Sequence, residues 1–198
     1  MDIMEAIKQR RSIRSYKDDP VPVGLLDQVL EAGRLAPSSS NVQSWRFKVV
    51  TDKAAKGELR KAAMDQSFVE EAPAVIVACL DLDAFRERTR GIVELLKDED
   101  GSVKDCDVAG LFALCDGPDE KRCLIHAFMN VSIAVENMVL TAVSLGLGTC
   151  WVRAFEPLKV AHALSLPPEC PPAVLLPIGF PNQDPPARPR KEMHEIRI

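Results

Sequence analysis

The chain has 198 residues, 46% hydrophobic and 27% charged, enough to bury one good core and short for two, so residues 1–198 are expected to form a single domain. Acids exceed bases by 29 to 25, a net charge of −4 at pH 7, which argues against general attraction to nucleic acid or anionic lipid. Met1-Asp2-Ile3-Met4-Glu5 carries early acids and no apolar run; it does not read as a secretory signal, and a cytoplasmic protein is expected.

Ile3, Ala6, Ile7 and Arg10 recur at helical spacing behind Asp2, a fitting N-cap, and predict an opening helix that ends near Ser12. Pro22 suits the first turn of a second helix, in which Leu25, Leu26, Val29 and Leu30 form the buried stripe and which Pro37 stops. Trp45 to Thr51 alternates apolar and basic side chains, as a half-buried strand does. A helix over about 53–64 leads to Ala74-Val75-Ile76-Val77-Ala78-Cys79-Leu80, whose unbroken apolar run predicts a central strand covered on both faces. Another helix is predicted over 82–97, followed by a polar break at 98–102.

The longest periodic segment, about 121–145, is apolar nearly all round. Its length would span a bilayer, but His126, Asn130, Ser132, Glu136 and Asn137 interrupt it, and a carboxylate at mid-membrane is costly. The segment therefore predicts a helix that runs through the core or is shared with a second subunit. Gly148 to Arg153 predicts a third strand, Pro157 to Leu164 a helix and Ala173 to Phe180 a fourth strand, where Pro177 favours an edge or a bulge. Prolines at 181, 185, 186 and 189 keep the tail extended, so it should lie over something else.

Several chemistries find no support. The six cysteines lack the short pairs of structural zinc sites, and in a chain this well supplied with aliphatic residues free thiols are expected; no metal is expected. Neither a dinucleotide glycine fingerprint nor a P-loop occurs, and no nucleophile-elbow or zinc-protease motif accompanies the three histidines.

Two features remain. Lys8, Arg10, Arg11, Arg14 and Lys17 crowd the start of an acidic chain, and Arg188, Arg190 and Lys191 crowd its end. Because the termini of a domain often lie close together, the two groups suit a shared anion such as phosphate; the plainer alternative is solvated charge. Between helix and strand, Pro37-Ser38-Ser39-Ser40-Asn41-Val42-Gln43 offers hydroxyls and amides that could meet a heteroaromatic edge of mixed polarity, or could serve the turn alone.

Arg10-Arg11-Ser12-Ile13-Arg14, the tract from Ala36 to Trp45, Gly146-Leu147-Gly148-Thr149-Cys150-Trp151 and the arginine-bearing tail, in that order, resemble the nitroreductase family of FMN-dependent enzymes over nearly the whole chain. The resemblance implies an α+β fold, a three-layer α-β-α sandwich with a mostly antiparallel sheet. It also implies a homodimer built on the long helix, with exchanged C-terminal arms and FMN at the interface. By position, Arg10, Ser12, Arg188 and Arg190 would hold phosphate and ribityl chain, supported by Arg11, and Arg14 would lie at the flavin N1/O2 edge. Pro37, Ser38, Ser39, Ser40, Asn41 and Gln43 would contact ring or ribityl, some across the interface, and the backbone of Trp151, Val152, Arg153 and Ala154 would approach N5.

No side-chain acid, base or nucleophile is implied, because the cofactor carries the redox chemistry. The implied activity is transfer of hydride from NAD(P)H to FMN and reduction of a small planar acceptor (a nitroaromatic, quinone or flavin) by a ping-pong mechanism. Rivals are a specialised member such as a dehalogenase or substrate-oxidising flavoenzyme, with a lid over about 86–120, and a flavin-binding module without turnover. Arg153 departs from the small or acidic residues of many relatives. It leaves open an anionic substrate, a nicotinamide phosphate or an outward pairing near Glu156.

Overall fold

The computed structural model describes residues 1–96 and 120–198; the break at 98–102 and most of the 86–120 lid candidate lie outside them. A four-stranded sheet, ordered β1-β2-β4-β3 and antiparallel at every pairing, organises these residues. β1 is Trp45–Val50, β2 Ala74–Leu80, β3 Gly148–Thr149 and β4 Pro172–Gly179. Around them lie α1 (Ile3–Gln9), α2 (Val23–Arg34), α3 (Lys53–Ala62), α4 (Ser67–Glu71), α5 (Leu82–Leu96), α6 (Glu120–Ser144), α7 (Pro157–Leu164) and α8 (Met193–Ile196).

The apolar run of β2 has the meaning expected of it: every residue is buried, and successive side chains serve opposite layers. Ala74, Ile76, Ala78 and Leu80 join Leu26 and Val29 of α2 and Ala127, Val131, Val135 and Met138 of α6 in one core. Val75, Val77 and Cys79 join Leu59 of α3, Phe68 and Val69 of α4 and Val160 of α7 in the other. Helices thus cover both faces of one sheet, the three-layer α+β arrangement expected. Burial pushes the Cys79 thiol up to about 12, so this cysteine packs as a small hydrophobe.

Three local expectations are corrected. α1 stops at Gln9, three residues early, because Arg10 turns to φ −52°, ψ 127°; Arg10 and Arg14 therefore share no helical face. Pro177 lies on β4, an interior strand paired with Val75, and not at an edge. Its carbonyl accepts from Cys150 N, on the flank where β3 has already ended and only an isolated bridge, Val152 to Leu175, continues; the missing proline N–H falls in this irregular stretch. The third strand is correspondingly short, two residues.

α6 is not uniformly enclosed. Ala127, Val131, Ala134, Val135 and Met138 are fully buried, while Leu124, Ile125, Met129 and Ile133 face outward. By length and composition, Cys123–Ser144 could cross a membrane, but its inner face is packed in the core of this domain.

Candidate functional site

Beyond α1 the chain runs extended beside the sheet. Ser12 bridges Thr149 in parallel, Ile13 N donates to Thr149 O at 2.9 Å, and Lys17 N donates to Phe180 O at 2.9 Å. Gly148 permits this approach, since a Cβ there would lie 2.6 Å from Ile13 Cγ1. The start of the tail follows the same segment: Asn182 N donates to Ser15 O, and Arg11 Nε donates to Pro185 O at 3.1 Å. Arg11 Nη1 also donates to the carbonyls of Lys8 and Arg10. Its guanidinium is thus a tie between the two ends of the chain.

A cavity of about 730 Å³ opens between these ends, a size suited to a cofactor, for which pockets run to about 300–1,000 Å³. Lys8, Arg10, Arg11, Ser12, Arg14, Arg188 and Arg190 line it with Ile7 and Pro185 to Ala187. Six cations meet with no carboxylate among the described lining residues, an arrangement whose mutual repulsion an anion would relieve. Arg14 is exposed, its guanidinium 5.8 Å from the Phe68 ring centre, while Arg190 folds onto the carbonyls of Arg188 and Pro189.

The serine tract is a separate feature. Ser39–Asn41 form one 3-10 turn, and Ser40, Asn41 and Gln43 hold positive φ values of 50°, 55° and 50°, which non-glycine residues adopt at a cost. Gln43 N donates to Ser38 Oγ at 2.9 Å, and Arg88 Nε donates to Ser40 O at 3.3 Å. None of residues 37–43 lines the basic cavity. Pro37, Ser39, Ser40, Asn41 and Gln43 are exposed and Ser38 half-buried, so the tract lies at the surface, with Ser39 N and Oγ donating inward to Asn130 Oδ1.

Trp151 to Ala154 follow β3 and likewise do not line that cavity. Val152 is buried and bridges Leu175. Arg153 turns away from Glu156, which pairs with Lys159 at 2.6 Å. Its guanidinium donates to Ala173 O and stacks 4.2 Å from the centre of the Phe128 ring on α6, a cation–π contact that fixes the charge beside the long helix.

One chain therefore gathers Arg10, Arg11, Ser12, Arg14, Arg188 and Arg190 in a single cavity and leaves 37–43 and 151–154 outside it. Two polar residues of α6 went unassigned in the sequence. The Glu136 carboxyl is held above the ordinary range by burial, against the opposing pull of Arg10 and the Trp151 indole. Asn130, 2% exposed, bonds to Ser39 and Ser44. The available signal was the presence of polar groups in an apolar helix, which reads as an obstacle to membrane insertion before it reads as a contact.

The nitroreductase family model matches residues 7–180. The match ends before Arg188 and Arg190, whose place rests on the cavity. A Thermus thermophilus protein named NADH dehydrogenase is 36% identical, over 93% of this chain and 89% of its own length. An FMN reductase [NAD(P)H] of Bacillus subtilis is 30% identical, over 96% of this chain and 70% of its own. Among solved structures, a nitroreductase in complex with FMN from Exiguobacterium sibiricum superposes with a TM-score of 0.81 at 25% identity, covering 100% of this chain and 97% of that one.

Proposed function

The chain belongs to the nitroreductase family, and from that premise we propose an FMN-dependent oxidoreductase. It takes hydride from NAD(P)H and reduces a small planar acceptor such as a nitroaromatic, quinone or flavin. The observation that carries this reading is the basic cavity, in which both ends of the chain supply cations and no carboxylate is among the described lining residues. Its donor set fits a phosphate monoester: guanidinium forks for the dianion and the Ser12 hydroxyl for the adjoining polyol. FMN held there supplies hydride acceptance from the donor and onward reduction of the acceptor at one face, so donor and acceptor alternate in the same place.

We assign Arg10, Ser12, Arg188 and Arg190 to the phosphate and ribityl chain. Arg11 spends Nε on Pro185 and Nη1 on Lys8 and Arg10 and holds the tail in position. Arg14 would place a cation where reduction leaves negative charge at N1/O2 and would make that charge less costly. The tract 37–43 and the backbone of 151–154 are assigned to the ring.

Because the tract faces outward from its own chain, the reading includes a homodimer in which one protomer's tract completes its partner's site. Exposed apolar groups support this: Leu124, Ile125, Met129 and Ile133 on α6, Ile3, Met4 and Ile7 on α1, and Met193 and Ile196 on α8 at the end of the arm. Fully burying each contributes about 1.5–3 kcal/mol. The arm's end would exchange between protomers, and the enzyme would work in the cytoplasm on its pyridine-nucleotide pool.

The test is an absorbance spectrum of the purified protein with FMN, recorded before and after anaerobic NADH and then NADPH. A flavin spectrum that bleaches with either donor is expected. Bound flavin that stays oxidised with both overturns the oxidoreductase reading, and failure to bind added FMN overturns the site.

A further inference from the structure

We infer that Asn130 is a positioning residue that sets the conformation of the 38–43 tract for the flavin; the inference rests on the assignment of that tract to the ring. Asn130 lies on the inward side of α6 at 2% exposure. Its Oδ1 accepts from Ser39 N at 3.1 Å and from Ser39 Oγ at 3.0 Å. Its Nδ2 donates to Ser44 Oγ at 3.3 Å, and Ser44 is fully buried. Ser44 O in turn accepts from Asp81 N at 3.0 Å, where β2 passes into α5. One amide thus grips both ends of the tract and ties them to the sheet and the long helix.

The orientation of that amide is determined by its neighbours. Reversed, it would set an NH₂ against the Ser39 N–H and leave that donor without its acceptor. Between the two grips stand Ser40, Asn41 and Gln43 with their positive φ values, a backbone that persists only where its surroundings over-determine it. Hydrogen bonds within the tract, Gln43 N to Ser38 Oγ and Gln43 Nε2 to Asn41 Oδ1, shape its interior but do not fix it to the domain. Asn130 does, beside the single Arg88 Nε contact from α5 to Ser40 O, and among the described residues it alone holds both Ser39 and Ser44, from the same helix whose outer residues Met129 and Ile133 are exposed, so the tract and the apolar face are held in one frame.

The experiment measures FMN dissociation constants by titration and the visible circular dichroism of bound FMN, in the full-length protein, for Asn130→Leu, Asn130→Asp and Val131→Ala. Val131 is a fully buried neighbour in the core, and its truncation controls for lost stability. Asn130→Leu is expected to weaken FMN by about tenfold or more through lost preorganisation and to change the dichroism. Asn130→Asp keeps acceptors for Ser39 and can receive the Ser44 hydroxyl, so it should restore most of the affinity.

Should Asn130→Leu leave affinity and dichroism unchanged, or should Val131→Ala lower affinity equally, the inference is overturned. Gln43→Ala separates this failure from failure of the underlying reading. If Gln43→Ala alters the dichroism while Asn130→Leu does not, the tract meets the ring and Asn130 does not position it. If neither alters it, the assignment of the tract itself falls. Where Asn130→Leu does not fold, Asn130→Asp combined with Ser44→Ala serves instead, and unchanged dichroism there also overturns the inference.

Discussion

The basic cavity and the serine tract differ in how their polar groups are used. The cavity is made within one chain, where Arg11 ties the tail to the first helix so that Arg10, Arg14, Arg188 and Arg190 surround one space. The tract spends its inner hydrogen bonds on Asn130 and turns Asn41 and Gln43 outward. One half of the proposed site can therefore attract an anion unaided, whereas the other has work to do only when a second surface faces it. Phosphate affinity and ring affinity should accordingly respond to different mutations.

The largest separation should come from α6. Met129→Glu with Ile133→Glu sets two carboxylates on the exposed apolar face, and burying them unpaired costs several kcal/mol. Sedimentation should show a monomer, with dimer affinity reduced by about a thousandfold or more. FMN affinity should fall with it, yet the domain should keep its helical circular dichroism because neither side chain is in the core. A dimer that survives both substitutions places the interface elsewhere and breaks the comparison.

Next in size are the arginines. Arg10→Ala, or Arg188→Ala with Arg190→Ala, removes charge-assisted hydrogen bonds to phosphate, each contributing about 1.5–3 kcal/mol, so FMN should weaken by about 10- to 100-fold per principal contact. Riboflavin, which has the ring and no phosphate, should bind these variants as it binds the parent. Equal losses for both ligands would mean that the cavity does not hold the phosphate.

The same contrast governs what could be read from sequence. β2 was legible because seven apolar residues in a row satisfy both faces of a covered strand, and α7 because Pro157 opens it at its first residue. The convergence of the two arginine groups was legible as charge with no obvious local use. The early end of α1 was not: Arg10 leaves the helix because the following residues pair with Thr149, a contact more than a hundred residues away. Pro177 misled for a similar reason, since the irregularity that accommodates it belongs to the segment after β3 and not to β4 itself. Asn130 and Glu136 resemble any polar interruption of an apolar helix until the tract and Arg10 are placed beside them.

Glu136 gives the smallest and most specific test, because it stands next to the cation of one half of the site from the helix that carries the other. Burial holds its carboxyl above the ordinary value of 4.5, and Arg10 and Trp151 offset that only in part. A raised folded-state value means that the native protein favours the protonated form. The associated stability is fully present below the unfolded value and is lost as pH rises through the folded one, so at neutral pH the ionised carboxylate is a standing cost. Glu136→Gln should therefore melt like the parent below pH 4.5 and become the more stable of the two as pH rises above it. Freed from its neighbouring carboxylate, Arg10 should also hold FMN more tightly at neutral pH, with the advantage fading on acidification and absent for riboflavin. A stability difference that is the same at every pH would show that Glu136 acts through packing alone and leaves the field of the phosphate cavity untouched.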